Sequence, residues 1–251
     1  MARETRPHVN EQQRTAFTND GFVAPLDVMN AAEAGEYRRR VDEYIDAAPH
    51  RHQLRTKVHL DCPALHELVH HPAILDPVSE VLGPDLLCRS SSLFVKEPRD
   101  DTFVAWHQDA AYWELDPPAV ATAWVALTPS TAANGALRVL PRSHLRPLMV
   151  HELTKQPGNL LTRGQEITEV IDDADAVTLE LAPGQMSLHD FRLAHASAPN
   201  DTEARRVGYA IRYVAAHVRN TGTRRDSALL VRGVDRFHHF DDEPDHRVSR
   251  A

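Results

Sequence analysis

The tripeptide His107-Gln108-Asp109 and the distant segment LHDFRLAHAS at residues 188–197 decide the fold of this 251-residue chain. Side chains alternate faces along a β-strand, so an extended tripeptide points His107 and Asp109 one way and Gln108 the other. A histidine from a second strand would then complete one face of an octahedron. Two imidazoles and one carboxylate in that arrangement suit Fe(II) and leave three positions open for a co-substrate and oxygen.

Two histidines in the second segment compete for the role of third ligand. His189 and His195 lie six residues apart, so they share a strand face only if the strand is continuous. The intervening Asp190-Phe191-Arg192 is typical of a turn between strands. The residue pattern alone leaves both histidines open.

Strand-like segments surround the tripeptide and extend to a pair of arginines. AVATAWVAL at 119–127 is apolar throughout, and RRVGYAIRYV at 205–214 alternates as a strand does. Arginine pairs with a carboxylate through two parallel hydrogen bonds. A guanidinium on a strand beside a metal site therefore suits a dicarboxylate co-substrate.

At this point the chain resembles the phytanoyl-CoA dioxygenase family of Fe(II)/2-oxoglutarate-dependent oxygenases. The resemblance is carried by WHQD at 106–109, NGALRVLPRSH at 134–144, and HASAPN at 195–200 followed by Arg206, and it extends from about residue 18 to about residue 218. It implies a mainly β fold, a double-stranded β-helix or jelly-roll, cupin-like core. Flanking α-helices, most of them N-terminal, are expected around that core.

The same resemblance implies roles for individual residues. Iron would be held by His107, Asp109 and His195, which prefers His195 over His189. Arg206 would bind the distal carboxylate of 2-oxoglutarate, with Ser197 and Trp124 as further contacts. The implied cofactors are Fe(II), 2-oxoglutarate and O2, and no protein general base is required.

Hydroxylation is the expected outcome of the reaction. One branch of the family halogenates and replaces the metal carboxylate with a small residue, so Asp109 disfavours halogenation. Desaturation, epoxidation and rearrangement remain alternatives, as does a non-catalytic protein that binds a metal or small ligand. The segment NLLTRGQEI at 159–167 and residues 205–213 resemble bacterial natural-product oxygenases, which predicts a role in specialised metabolism.

Five residues are candidate substrate contacts. Tyr112 and Trp113 follow the metal motif, and Leu161 and Arg163 belong to a long segment without clear periodicity. Arg212 lies six residues beyond Arg206 and shares its strand face if no bulge intervenes. Because an inward arginine is costly to bury alone, it would meet a substrate anion or an internal acid such as Glu114.

The composition restricts the classes of binding partner and the cell compartment that can be expected. A formal net charge of −8 argues against a nucleic-acid partner, and no apolar run is long enough for a membrane span. No signal peptide is visible, and Cys62 and Cys88 lack metal spacing, so two reduced thiols in a cytoplasmic protein are expected. The predicted partner is a small molecule, either free or bound to a carrier or to CoA, and the oligomeric state is left open.

The chain is predicted to form one domain over residues 1–251. Helices are expected over about 10–85, a β core over about 86–218, a lid-like insert over about 142–176 and a tail over 235–251. Apolar spacing predicts helices over 31–47 and 64–82, the second divided by Pro72. The tail is expected to be partly ordered, with a metal site among its acids and histidines as the alternative.

Two further histidine positions are expected to be structural. His70 and His71 lie at a predicted helix end, where imidazole can meet the last carbonyls. His144 follows Arg142-Ser143 and is expected to fix a turn.

Overall fold

The computed structural model describes residues 10–47, 56–154, 156–161, 165–223 and 225–245. Within these ranges the α-helices are α1 (Glu11–Asp20), α2 (Ala31–Ala47), α3 (Pro63–Val69) and α4 (Pro72–Leu82). The prediction for α2 is confirmed at both ends, and the predicted division at Pro72 is confirmed as well. Proline suits the first turn of a helix because its missing N–H has no intrahelical partner there.

The strands are short and numerous, as expected for a β core. They are β1 (Phe22–Asp27), β2 (Leu86–Lys96), β3 (Val104–His107), β4 (Leu115–Asp116), β5 (Val120–Ala126), β6 (Leu137–Val139), β7 (His151–Leu153), β8 (Gln165–Ile167), β9 (Val177–Leu179), β10 (Gln185–Asp190), β11 (His195–Ser197), β12 (Arg206–Ala215), β13 (Arg219–Asn220), β14 (Ser227–Arg232) and β15 (Asp241–Asp242).

Two sheets enclose the interior. The large sheet has the order β1-β10-β5-β12-β2-β14-β15, and the small sheet has the order β3-β11-β6-β9. All pairings are antiparallel except that of β14 with β15. Strands distant in sequence lie side by side, which is the pattern of a jelly roll. The predicted mainly β, jelly-roll fold is confirmed.

Alternation along β12 separates the helix-facing core from the interior. Val207, Tyr209, Ile211 and Tyr213 belong to the apolar core that the large sheet shares with α2, α3 and α4. The phenolic hydroxyls of Tyr209 and Tyr213 donate to the carbonyls of Leu65 and Val69, at 3.2 and 3.0 Å. The intervening residues, which include both Arg206 and Arg212, therefore face the space between the two sheets.

The large sheet contains strands from both the N-terminal and the C-terminal parts of the described chain. β1 lies within the region predicted to be helical and pairs with β10 at one edge of the sheet. Pro25 is tolerated there because the pairing shifts register between Val23 and Leu26, so the strand needs no ladder bond at that point. β14 and β15 extend the opposite edge, so part of the predicted tail is ordered.

Residues 142–176 are more regular than the sequence indicates, because β7 and β8 pair as a two-stranded sheet within them. Arg163 lies outside the described residues. Among the described helices, none combines the length and apolarity required to cross a lipid bilayer.

Candidate active site

Two neighbouring strands of the small sheet position the predicted metal ligands. β3 ends at His107, and a 3-10 turn begins at Asp109, so the strand does not run through the whole tripeptide. Gln108 nevertheless keeps extended backbone angles, φ −118° and ψ 128°, so its neighbours still point to one side. His195 opens β11 and pairs directly with His107 across the sheet.

The structure brings His107, Asp109 and His195 together. One donor atom from each lies within 4.8 Å of the other two. Nε2 of His107 is 3.7 Å from Oδ1 of Asp109, and the two imidazole centroids are 4.1 Å apart. All three side chains are buried. His189 lies behind this group, with its ring centroid 4.9 Å from that of His195.

Backbone carbonyls fix the tautomer of both histidines. Nδ1 of His107 lies 2.9 Å from the carbonyl oxygen of Ala105, and Nδ1 of His195 lies 2.9 Å from that of Leu193. A carbonyl only accepts, so each Nδ1 donates its proton and each Nε2 presents a lone pair to the site. Metal-binding histidines are commonly oriented in this way.

Asp109 is held as a carboxylate by groups on the large sheet. Its Oδ2 lies 3.3 Å from Oγ1 of Thr122 and 3.3 Å from Nε of Arg212. Burial disfavours the charged form, but the Arg212 guanidinium outweighs it and holds the pKa of Asp109 well below its usual range. The carboxylate therefore reaches the site charged, with Oδ1 free to bind a cation.

Both buried histidines near this carboxylate are neutral. Burial, together with the adjacent His107 and His189, holds the pKa of His195 well below its usual range. Burial also lowers the pKa of His189 to about 4. Neither ring nitrogen of His189 has a hydrogen-bond partner among the described residues. The predicted donor set is the imidazoles of His107 and His195 and the carboxylate of Asp109, which fits Fe(II).

Arg206 lines the same cavity as His107 and His195. It is 2% exposed, and its Nε and Nη2 have no hydrogen-bond partner among the described residues. Burial lowers the pKa of this guanidinium to about 10. Its Cζ lies 5.4 Å from the centroid of the Trp124 ring, which it overlies. A buried guanidinium with free donors fits a carboxylate ligand.

Lys96 is a second cation at this end, and the sequence analysis missed it. It is 0% exposed and pairs in register with Arg206 across β2 and β12. Its Nζ donates to Oγ of Ser197 at 2.7 Å and also to the carbonyl of Ala198. Burial and the neighbouring Arg206 lower its pKa to about 7. A lysine at the end of the apolar run LFVK was the available sequence signal.

The predicted co-substrate contacts line one cavity together with two of the three predicted metal ligands. This cavity is walled by residues of both sheets, including His107, His189, His195, Ser197, Trp124 and Arg206. Ser197 accepts from Lys96, donates to the carbonyl of Gly135 at 2.8 Å and is therefore held in place. The cavity therefore brings a candidate cation site and a candidate anion site together.

A second cavity opens from His107 and Asp109 on the other side. Its lining includes the predicted contacts Tyr112, Trp113 and Leu161, together with Arg212. The Tyr112 hydroxyl donates to the carbonyl of Gln165 at 2.9 Å, which joins the metal turn to β8. Trp113 stacks on Phe191 with ring centroids 5.5 Å apart.

Arg212 pairs with an internal acid, as the sequence analysis allowed, but that acid is Asp109 and not Glu114. Its Nε bonds to Asp109, and its Nη1 lies 3.1 Å from Oγ of Ser92. The register shift on β12 falls between Arg212 and Tyr213, beyond the arginine, so Arg206 and Arg212 keep the same face as predicted. The acid that this face meets is the metal-site carboxylate.

Comparison with known proteins places this site in a family context. The family model described as phytanoyl-CoA dioxygenase matches residues 17–208. A probable phytanoyl-CoA dioxygenase of Caenorhabditis elegans is 28% identical over 61% of this chain and 51% of its own length. A probable alpha-ketoglutarate-dependent hypophosphite dioxygenase of Stutzerimonas stutzeri is 29% identical over 63% of this chain and 55% of its own length. The chain spans about half the length of these curated relatives.

Solved structures give the same placement. A structure described as the non-heme monooxygenase ThoJ is 40% identical, with a TM-score of 0.82, and the match covers 92% of this chain and 87% of that one. CytC3 with Fe(II) and alpha-ketoglutarate is 22% identical over 95% of this chain and 94% of its own, with a TM-score of 0.69, and supports the fold alone. Because the family model covers more than half of its residues, the chain belongs to the phytanoyl-CoA dioxygenase family.

Proposed function

We propose that this protein is an Fe(II)/2-oxoglutarate-dependent oxygenase that hydroxylates a small molecule. One observation carries the proposal. The buried Arg206, whose Nε and Nη2 have no hydrogen-bond partner among the described residues, lines the same cavity as His107 and His195. A buried charge without a counterion is costly, so the cavity requires an anion. A dicarboxylate that also reaches the metal ligands meets that requirement.

Each residue of the site has a defined task in this reaction. His107, Asp109 and His195 would hold the iron through two imidazoles and a charged carboxylate. Bound Fe(II), with 2-oxoglutarate and O2, supplies the oxidant that inserts oxygen into a C–H bond. Arg206 and Lys96 bind and orient the distal carboxylate of the co-substrate. The reaction needs no protein general base, and the buried cavity between the sheets keeps water from the co-substrate.

Hydroxylation is favoured over halogenation by Asp109. Its carboxylate lies among the metal ligands, with Oδ2 held by Thr122 and Arg212. A halide would have to occupy the same position, against the same charge. The carboxylate therefore excludes a halide both by its volume and by its charge.

The substrate is proposed to bind in the second cavity, against Tyr112, Trp113, Leu161 and Arg212. We propose that residues 142–176 act as a lid over this cavity. Leu161 belongs to that segment, and Nε2 of His151 accepts from the backbone N–H of Gln108 at 3.0 Å. Free bacterial metabolites are the first substrate class to test, and CoA thioesters and carrier-bound residues are the second. We also propose that residues 1–251 form a single domain.

Anaerobic addition of Fe(II) and 2-oxoglutarate tests the proposal directly. A visible metal-to-ligand charge-transfer band is expected with the wild-type protein and not with His195→Ala. Admission of O2 should then convert 2-oxoglutarate to succinate, slowly without substrate and faster with it. Absence of the band would contradict the cofactor assignment. A normal band without any succinate would indicate a protein that binds the cofactors without turnover.

A further inference from the structure

A second pair of histidines faces a carboxylate far from the active site. His66 and His70 lie on and directly after α3, four residues apart, so their side chains share one face. Asp245, from the C-terminal segment, closes the group. Nε2 of His66 is 3.0 Å from Oδ1 of Asp245, and Nε2 of His70 is 3.9 Å from Oδ2. Both histidines are buried.

Carbonyl oxygens orient these rings as they orient those at the active site. Nδ1 of His66 lies 3.2 Å from the carbonyl oxygen of His59, and Nδ1 of His70 lies 3.0 Å from that of His66. Each Nδ1 therefore donates its proton to a carbonyl, and each Nε2 faces the carboxylate. Two imidazole nitrogens and one carboxylate thus converge in one space.

The three side chains offer donors of the kinds that a divalent cation takes, and the two imidazole centroids lie 4.9 Å apart. A divalent cation between them would bind both Nε2 atoms and the carboxylate together. Two imidazole nitrogens and one carboxylate oxygen are ligands that Zn²⁺ accepts, with water in the fourth position of a tetrahedral site.

We propose that His66, His70 and Asp245 bind a divalent metal ion, Zn²⁺ in the first place, at a structural site. All three donor atoms lie within 4.8 Å of one another, as they do at the active site. The ion would clamp the C-terminal segment to α3. The site is independent of the iron, so the inference does not rest on the proposed oxygenase activity.

The ion is structural and does not support hydrolysis, although the sequence HELVH at 66–70 has the spacing of zinc peptidases. In those enzymes the glutamate of the motif acts as general base at the metal. Here the Glu67 carboxylate makes two hydrogen bonds of 2.7 Å each to Arg40 on α2. That pair holds Glu67 in a helix–helix contact, so the site lacks a base.

The clamp has a consequence for the substrate cavity. Glu243 lies two residues before Asp245 and bonds to Lys57 at 2.5 Å and to His59 at 3.0 Å. Lys57 lines the second cavity. A metal at Asp245 would therefore fix the segment that contains Glu243. Through Glu243 it would also help to position Lys57 in the cavity wall.

Metal content of the full-length protein tests the proposal. After loading with excess Zn²⁺ and removal of loosely bound metal, the wild type should retain two ions per chain by mass spectrometry. Asp245→Asn should retain one, because loss of a direct ligand should weaken binding by more than about 100-fold, beyond the effect of losing a mere outer contact. His239→Gln, a tail histidine outside the cluster, should retain two. Asp245 follows β15 at the edge of the large sheet, so its replacement should leave the folded core intact.

A second variant isolates the site from the iron ligands. His107→Ala/His195→Ala should still bind one Zn²⁺, and its melting temperature should rise with Zn²⁺. In the background His107→Ala/His195→Ala, the further change Asp245→Asn should abolish both effects. Equal metal content in wild type and Asp245→Asn would overturn the proposal and leave a histidine–aspartate ion pair. A second ion retained in Asp245→Asn but lost in His239→Gln would overturn it too.

Discussion

Arg206 and Lys96 occupy directly paired positions on β12 and β2, so two buried cations lie side by side on one ladder. They are 2% and 0% exposed. Like charges in directly opposed positions destabilise a sheet, and burial adds a desolvation cost. An anion bound beside them offsets both effects. We therefore propose that the pair serves to bind a carboxylate, at a cost to the stability of the fold.

Arg206→Met should weaken 2-oxoglutarate binding while leaving metal binding unchanged. Hydrogen bonds to charged groups contribute about 1.5–3 kcal/mol, so the loss corresponds to about 10- to 150-fold in affinity. Anaerobic titration of the charge-transfer band with 2-oxoglutarate measures it. Arg205→Met is the matched control, because Arg205 lies on the opposite face and bonds to Glu97 at 2.8 Å. Equal losses in the two variants would contradict the assigned strand face.

Lys96 should make stability depend on pH in the co-substrate-free protein. Its pKa is about 7 when folded, because of burial and Arg206, and about 10.4 in an unfolded chain. Between these values the unfolded state binds more protons, so the free energy of unfolding rises with pH, by at most about 1.4 kcal/mol per pH unit. Urea unfolding at several pH values measures the slope. Lys96→Met should remove this contribution, and an unchanged slope would show that the group does not titrate there.

Binding of 2-oxoglutarate should raise the lowered pKa of Lys96. A carboxylate beside Lys96 favours the ammonium form and raises its pKa, so binding takes up a proton above about pH 7. Calorimetry in two buffers of different ionisation enthalpy measures the uptake. Lys96→Met should bind without it. Proton uptake that persists in this variant would have to come from another group.

Gly208→Ala should displace the Trp124 ring and so disturb the co-substrate site. A Cβ at this position would lie 1.9 Å from Cζ2 of Trp124, whose ring lies under Arg206. Overpacking of this kind costs about 1–3 kcal/mol, and the displaced indole should also weaken 2-oxoglutarate binding. Gly35→Ala is the control, because nothing lies within 4 Å of its Cβ and alanine favours a helix by about 1 kcal/mol. Thermal unfolding of both variants should shift in opposite directions.

Local chemistry explains what the sequence predicts well. The ligand types and their spacing predict His107 and Asp109 as metal ligands, because few residue combinations suit Fe(II). Strand alternation separates Arg205, which bonds to Glu97, from the buried Arg206. The apolar spacing of α2 and the proline that begins α4 are equally local, and both predictions are confirmed.

Long-range contacts explain what the sequence leaves hidden. β1 is a strand because it pairs with β10, more than 150 residues away, and no local pattern encodes that partner. Lys96 is buried because Ser197 and Arg206 lie beside it in the folded sheet. Arg212 bonds to Asp109 where the sequence suggested Glu114, since face and distance depend on how the sheets approach.

His189 and His195 should differ sharply in their effect on metal binding. His195→Ala should lose the metal, because this ring supplies one of the three converging donor atoms. His189→Leu should keep it, and its stability should change little, because neither nitrogen of His189 has a hydrogen-bond partner among the described residues. Co²⁺ titration and thermal unfolding measure both effects. Metal loss in His189→Leu alone would reassign the third ligand.

Arg212→Met should weaken metal binding through Asp109. The guanidinium holds Oδ2 at 3.3 Å and keeps the pKa of the carboxyl low, so its loss leaves the ligand less fixed and easier to protonate. Removal of such an outer contact typically costs about 10- to 100-fold in metal affinity. The loss should grow as pH falls, because protons then compete for Asp109.

Two neighbouring variants separate this positioning role from contact with the substrate. Thr122→Val removes the other bond to Oδ2 and should weaken the metal in the same direction. Ser92→Ala removes only the partner of Nη1, 3.1 Å away, and should leave the metal affinity close to that of the wild type. If Arg212→Met kept full metal affinity at every pH but lost substrate binding, the arginine would instead be a substrate contact. In that case the substrate would be an anion. A buried Arg212 guanidinium that is not needed to hold Asp109 requires another negatively charged partner, and the substrate would supply it.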